Sequence, residues 1–401
     1  MKYTVTLGNR SLTKIIFGNE LLIMLLLFPF FKTSGFDYIP GLSFFCNAML
    51  FLDAVLFFLI YLGRKEMNPF FFTVILYEIW TYLLAPLIAD STPPSLFYVS
   101  GTLGVLSVFY MGFSEDYQRF MNALCKLFAI MISANLMLML AFPGGFDRTS
   151  AGQIYLLGIR TGFSLFIIPG LMFNCIRDDL MNKHSACTVI CLICGTLSLI
   201  MQWVATGLLE LAVIILFFFM LKRRVSFKQK SFFYIFLGIM LFNFLLTYIG
   251  TNNGVMQFVA QLLKRDITFT GRTEIWMKTF ARLQDSPLAG FGNDAVVLIR
   301  TVWKTAHNQW LHFALEGGYV AMIIMIMAIG KSCRYVTGCK NECWYGTFCS
   351  FAAGILIGCI AEIQTYVPFF YAVFMMPYLL KKFVKREVNN ESGHEHNRSS
   401  V

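Results

Sequence analysis

The chain has 401 residues, of which 57% are hydrophobic and only 13% charged, and it carries a formal net charge of +10. An ordinary soluble domain holds roughly a quarter charged residues, so this composition excludes one. Apolar runs of about 18 to 22 residues recur from end to end, long enough to cross a hydrocarbon core of about 30 Å, and they predict an all-α polytopic membrane protein.

Hydropathy predicts about twelve spans, at 14–31, 42–62, 69–89, 96–113, 121–142, 161–176, 185–203, 206–221, 231–249, 309–329, 347–363 and 367–380. The first runs too far past Ile15, and lacks a small-residue cleavage site, to be a removable signal peptide. Between spans fall Arg64 with Lys65, Arg119, Arg177 with Lys183, "KRRVSFKQK" (222–230), Lys331 with Arg334 and Lys340, and "KKFVKRE" (381–387). All of these face one side if the N-terminus is cytoplasmic. The opposite short loops hold only Lys32, Arg148 and Arg160. This asymmetry predicts both termini inside, and it makes the net charge a topology signal rather than a nucleic-acid footprint.

In chain order, the first unusual stretch is "GQIYLLGIRTGFSLFIIPG" (152–170), which sets Arg160 at the outer mouth of the sixth span. Gly162 permits close backbone approach, and Pro169-Gly170 predicts a break, tolerated at membrane depth where it lines a cavity. Arg160 reads either as a headgroup-snorkelling residue or as a functional cation. Eleven cysteines follow no metal pattern. "CLIC" (191–194) has CxxC spacing but lies inside an apolar helix, where cysteine behaves as a small hydrophobe.

The segment 251–306, outward on this topology, holds seven cations (Lys264, Arg265, Arg272, Lys278, Arg282, Arg300, Lys304) against four anions (Asp266, Glu274, Asp285, Asp294). A basic excess on the outer side runs against the positive-inside rule. It suits either anionic headgroups or an anionic substrate. Within it, "FTGRTEIWMKTFARLQDSP" (269–287) predicts a helix opened by Thr270 or Gly271 and closed before Pro287. At about 100° per residue, Ile275, Trp276, Thr279, Phe280 and Leu283 share one arc, opposite Glu274, Lys278, Arg282 and Asp285. Arg272 falls in the apolar arc, where a guanidinium is costly unless paired. It either snorkels, caps a neighbour, or binds phosphate as a bidentate fork.

"SPLAGFGND" (286–294) then forms a Gly-x-Gly turn that is no nucleotide loop, since no strand precedes it and no Lys-Ser/Thr follows. "KTAHNQWLHFALEGG" (304–318) places His307 and Asn308 at the start of the tenth span, with His312 and Glu316 further in. His312 and Glu316 share a helix face, but His307 lies about 140° from His312, so no metal site is predicted. Alone, His307 is either an interfacial residue or a catalyst. The tail "NNESGHEHNRSS" reads as a disordered segment.

The order of these pieces carries more than any one of them. Arg-Thr-Gly before a short span, Gly-Arg-x-x-x-Trp in a large outer loop, Pro-x-x-Gly-x-Gly, then His-Asn leading into Glu-Gly-Gly resembles the O-antigen polymerase and O-antigen ligase superfamily over residues 145–330. "TGLLELAVIILFFFMLKRRVSFKQK" (206–230) is also similar, although the Ser-Arg that often precedes it is Val204-Ala205 here. The resemblance implies a metal-independent, inverting glycosyltransferase of the GT-C type without cofactors. Its implied partners are undecaprenyl-diphosphate-linked glycan donor and acceptor, membrane lipids, and a chain-length regulator and flippase of the same pathway, with no nucleic acid. It implies the outer face of a bacterial inner membrane as the place of reaction.

The expected organisation is spans one to nine in 1–250, a catalytic loop in 251–306, spans ten to twelve in 307–386 and a cytoplasmic tail in 387–401. Charge on a departing diphosphate needs cations, for which Arg160 and Arg272 are the candidates, with Arg265 and Arg282 behind them. An imidazole, with an ordinary pKa of about 6.5, suits the base. That role falls to His307, with Asn308 orienting it or the sugar, Glu316 in support, and Trp276 and Trp310 available to stack on sugar rings. A polymerase is expected ahead of a ligase. A flippase or solute carrier is the third alternative, disfavoured because the spans hold few ionisable groups beyond Glu20, Asp53, Glu78 and Glu210.

Overall fold

The architecture comes from a computed structural model that describes residues 6–7, 10–64, 66–149, 152–222, 231–248, 272–294, 297–298, 302–303 and 305–384. Helices dominate: α1 (Leu12–Phe17), α2 (Glu20–Leu27), α3 (Leu42–Gly63), α4 (Pro69–Ala89), α5 (Leu96–Ala141), α6 (Phe163–Met181), α7 (Ala186–Met201), α8 (Ala205–Lys222), α9 (Ser231–Tyr248), α10 (Arg272–Leu283), α11 (Gln309–Val336), α12 (Tyr345–Gly358) and α13 (Phe369–Leu379). Several are opened by a side chain that takes up the free N–H groups of the first turn, as Asn68 does for Phe70 and Phe71 and Asn19 for Leu21 and Leu22. Helices stand on all twelve apolar stretches of the sequence. Among the described residues four elements, Leu42–Gly63, Pro69–Ala89, Leu96–Ala141 and Gln309–Cys339, are long and apolar enough to cross a membrane by length and composition. Phe44 and Leu87 are 79% and 82% exposed, the pattern of a lipid-facing surface rather than a wet one.

Two spans expected as separate helices form one element, α5, bent at Asp116, whose backbone leaves helical geometry (φ −159°, ψ 91°). Asp116 Oδ1 accepts from the Arg119 N–H and so caps the second limb. Gly112 is needed beside the bend, because a Cβ there would lie 2.2 Å from the Phe120 ring. The short spans near 161 and 367 lie deepest. Every residue of α13 is buried, and Phe369 packs against the rings of Phe31, Phe128 and Phe173 at 4.9, 4.8 and 6.4 Å.

The helical frame is consistent with the all-α expectation, and a few short strands stand beside it. Among the described residues there are three small antiparallel sheets, and the three-stranded one joins Asp147–Thr149, Gly152–Tyr155 and Gly158–Ile159. Its register pairs Arg148 with Gln153 and Tyr155 with Gly158. Turn-forming glycines make this hairpin possible: Gly158 holds φ +88°, a region other residues rarely enter. Asn135 of α5 accepts the Leu157 N–H at 2.9 Å and Thr33 donates to the Leu156 carbonyl at 2.7 Å, fixing the sheet over the mouth of α6.

Polar contacts gather at the two ends of the bundle. At one end Arg64 bonds Ser114 at 2.9 Å and pairs with Glu115, Lys382 pairs with Glu66, and Arg177 pairs with Asp178 at 3.1 Å. These are the loops whose basic clusters predicted a common side. At the other end Tyr38 bonds Asp147 at 2.7 Å, Thr92 bonds Asp294 at 2.9 Å, and Arg272 meets Glu362.

Candidate functional site

The site is built on the break between a loop and α11. Asn308 caps that helix, its Oδ1 accepting from the Trp310 and Leu311 N–H groups at 3.0 and 3.1 Å. Its Nδ2 donates to Asn243 Oδ1 and to the Ile360 carbonyl at 2.6 and 3.1 Å. The residue is fully buried and its amide is consumed, so the expectation that Asn308 touches a sugar gives way to a scaffolding role. His307 precedes it with φ +45°, a left-handed conformation costing an L-residue on the order of 1–2 kcal/mol. The cap and the contacts around it impose that conformation, and the imidazole is turned out toward the loop following α12.

That loop supplies the residue sequence reasoning missed. Glu362 Oε1 accepts from Arg272 Nη2 at 2.8 Å, and its Oε2 stands 3.8 Å from His307 Nδ1. The first is a charge-assisted hydrogen bond. The second is an electrostatic contact too long for one. The carboxylate, 12% exposed, therefore lies between the two residues singled out as cation and base. Its loop is pinned by Gln309, which donates its N–H to the Cys359 carbonyl at 2.8 Å and exchanges bonds with Thr365. Gln364 reaches Glu210 at 2.8 Å on the far side. A charged residue within an apolar stretch was the available signal, but 347–363 reads as a span and absorbed it.

Arg272 opens α10, whose expected apolar arc is seen: Ile275, Trp276, Thr279 and Leu283 are buried against Ala306, Leu311, Ala314 and Leu315. Thr270, Gly271, Arg265 and the other cations at Lys264, Arg300 and Lys304 lie outside the described residues. The burial cost of the Arg272 guanidinium is offset by Glu362. Arg282 sits ten residues along the helix, about 15 Å away at 1.5 Å per residue. It is exposed, lies over the Phe291 ring at 4.1 Å and pairs with Asp285 at 3.5 Å, so it is not brought into the cluster. Arg160 is exposed on the 3-10 turn Arg160–Gly162 after the small sheet. Its neighbours Ile159, Thr161 and Gly162 line a cleft of about 590 Å³ together with Lys32, Asp37 and Phe97.

Two tryptophans need correction as sugar platforms. Trp276 is 2% exposed and donates Nε1–H to the Ala306 carbonyl at 3.1 Å, while Trp310 is 1% exposed against Phe313. Neither presents a ring face to a ligand. Glu316 does not support His307 either: it holds His312 Nε2 at 3.2 Å and accepts from Tyr77 Oη at 3.2 Å. Among the described residues no three His, Cys, Asp or Glu side chains converge to hold a metal ion.

The Gly-x-Gly turn and the Glu-Gly-Gly of α11 prove to be one unit. Gly317 and Gly318 break the helix (Gly318 φ +70°), freeing backbone groups that the 286–294 loop takes up. Phe291 N–H donates to the Leu315 carbonyl and Tyr319 N–H to the Pro287 carbonyl, both at 2.7 Å. A Cβ on Gly318 would lie 2.0 Å from the Leu288 carbonyl oxygen, and one on Gly290 would lie 2.5 Å from the Gly318 nitrogen. Only glycine allows so close an approach.

No curated protein and no solved structure matches the chain. Residues 187–326 match the family model described as O-antigen ligase. The matched stretch runs from α7 into α11 and includes Arg272, His307, His312 and Glu316, while Arg160 and Glu362 lie outside it. The apolar helices and this match together indicate a membrane protein, and over residues 187–326 the chain is similar to the O-antigen ligase family.

Proposed function

We propose that the chain is a polysaccharide polymerase that joins undecaprenyl-diphosphate-linked repeat units at the outer face of a bacterial inner membrane. The observation that carries this reading is Glu362 held between Arg272 and His307 at one end of the bundle. In this reading the acceptor hydroxyl oxygen forms a bond to the anomeric carbon as the bond from that carbon to the lipid diphosphate breaks. The hydroxyl proton passes to His307 Nε2, with Glu362 facing Nδ1 and stabilising the imidazolium that forms, the logic of a base oriented by a carboxylate. Arg272, one terminal nitrogen of which is taken by Glu362, meets the charge developing on the departing diphosphate. Arg160, whose neighbours Ile159, Thr161 and Gly162 line the 590 Å³ cleft, binds the lipid-linked diphosphate rather than the reacting carbon. Back-side attack inverts the anomeric centre. Both termini are cytoplasmic, 251–306 is the outer catalytic loop, and a chain-length regulator and flippase are the pathway partners.

A ligase is the second reading, favoured by the description of the matched family. Both reactions use the same donor and differ in acceptor, another lipid-linked repeat or a lipid A core. Purified protein given a lipid-diphosphate-linked repeat unit without added metal should produce a ladder of chain lengths. Transfer only after lipid A core is added makes it a ligase, and no transfer in either case sinks the glycosyltransferase reading.

A further inference from the structure

A second polar site lies on the other side of the loop that carries Glu362. A cavity of about 220 Å³ is lined by Glu78 and Glu316, by His312, and by Tyr77, Tyr98, Tyr366 and Tyr371. It shares Ser95, Tyr98, Thr102, Thr365 and Tyr366 with the 590 Å³ cleft beside Arg160. His312 is 6% exposed, its Nε2 is held by Glu316, and its Nδ1 is buried with no hydrogen-bond partner. A buried ring nitrogen left unmatched is costly and rare in a native protein, and this one belongs to a residue on the cavity wall. Among the described residues no lysine or arginine lines the space.

We infer that this cavity is the subsite for the accepting sugar, and that it selects a neutral or amino-bearing ring while rejecting uronic acids and phosphorylated sugars. The inference rests on the glycosyltransferase reading. Carboxylates accept strong hydrogen bonds from sugar hydroxyls or an ammonium group, tyrosines present both a ring face and a hydroxyl, and His312 Nδ1 supplies one more polar contact. The Glu316 carboxylate, with no lysine or arginine among the described lining residues to offset it, repels an anionic ring, most strongly where water is scarce. The position also fits the chemistry. Thr365 and Tyr366 follow Glu362 by three and four residues, so one pinned loop carries the base-orienting carboxylate and part of the sugar cavity. The anionic diphosphate is thereby kept at the arginine side and the uncharged sugar at the acidic side.

The test is binding, measured without turnover. Full-length protein in nanodiscs is examined by saturation-transfer NMR with N-acetylglucosamine, glucosamine and glucuronic acid as probes. The first two should take saturation and glucuronic acid should not. Glu316→Gln should weaken binding of the preferred probe by roughly tenfold or more, the loss expected for a hydrogen bond to a charged group. His312→Gln should weaken it less, and Lys382→Gln, in the ion pair with Glu66 away from the cavity, should leave it unchanged. Equal saturation by glucuronic acid on the wild-type protein overturns the inference whether or not a variant folds, as does binding that Glu316→Gln leaves intact in a normally folded protein. Selective sugar binding without a polymer ladder would defeat the polymerase reading and keep the cavity. A ladder with no such selectivity would do the reverse.

Discussion

The two ends of the bundle handle charge differently. At one, cations and carboxylates pair nearly one to one: Arg64 with Glu115, Lys382 with Glu66, Arg177 with Asp178. At the other, Glu362 serves both Arg272 and His307, and Glu78 and Glu316 share a cavity with a single histidine. Balanced pairs tie helix ends together and are worth about 0–1 kcal/mol each when exposed. Shared and unmatched charge stabilises little by itself. Its use lies in what it binds, and the contrast separates anchoring from chemistry.

Breaking the second end should give the largest effects. His307→Ala should cut turnover by about 10²–10⁴-fold while the protein still inserts, and full-length glycan from that variant would remove the base assignment. Glu362→Gln keeps the size of the side chain but not its charge. It should lower kcat on the order of 10- to 100-fold, as for a charged hydrogen bond, with Glu362→Asp restoring part of it. A change in KM alone would make Glu362 a binding residue instead. Gly318→Ala forces a Cβ against the Leu288 carbonyl at positive φ, and thermal unfolding in detergent should show a loss of more than about 1 kcal/mol. An unchanged midpoint would mean that the loop does not need to dock. Lys382→Gln, at the balanced end, should cost under about 1 kcal/mol and leave the polymer ladder as it was; a shortened ladder would blur the division between the ends.

The smallest effect concerns pH. Hydrogen bonds from Thr92 to the Asp294 carboxylate hold it below the usual range. Asp294 is thus a group with a lowered folded-state pKa. Its contribution is present above the unfolded value of about 3.9 and fades as pH falls through the folded one. Unfolding midpoints of the wild type and Asp294→Asn should converge in acid, and parallel curves would show that this contact contributes nothing.

Much of the frame was legible. The apolar arc of α10 and the helices on the apolar runs, four of them long enough to cross a membrane among the described residues, were carried by periodicity and hydropathy, which depend on local sequence. Arg272 stood out because a guanidinium on an apolar face demands a partner. That partner, Glu362, is ninety residues away inside a stretch read as a membrane span, and no local pattern joins the two. The sequence drew no metal site from His312 and His307, which do not share one helix face; that His312 lines a cavity follows from tertiary packing, which no local pattern shows. Trp276 and Trp310 misled because an indole near a membrane boundary looks the same whether its ring is open or covered. Burial against α11 decided it.

Glu362 lies 36 positions beyond the last residue of the stretch that matches the O-antigen ligase family. The imidazole and guanidinium come from inside that stretch and their common carboxylate from outside it. A chimera that exchanges only 187–326 between two such proteins would therefore pair the proposed base of one with the carboxylate loop of another. Exchange through residue 384, taking α13 along, keeps them together. Transplanted segments ending at those two boundaries should behave as different proteins, one mismatched at its centre and one whole.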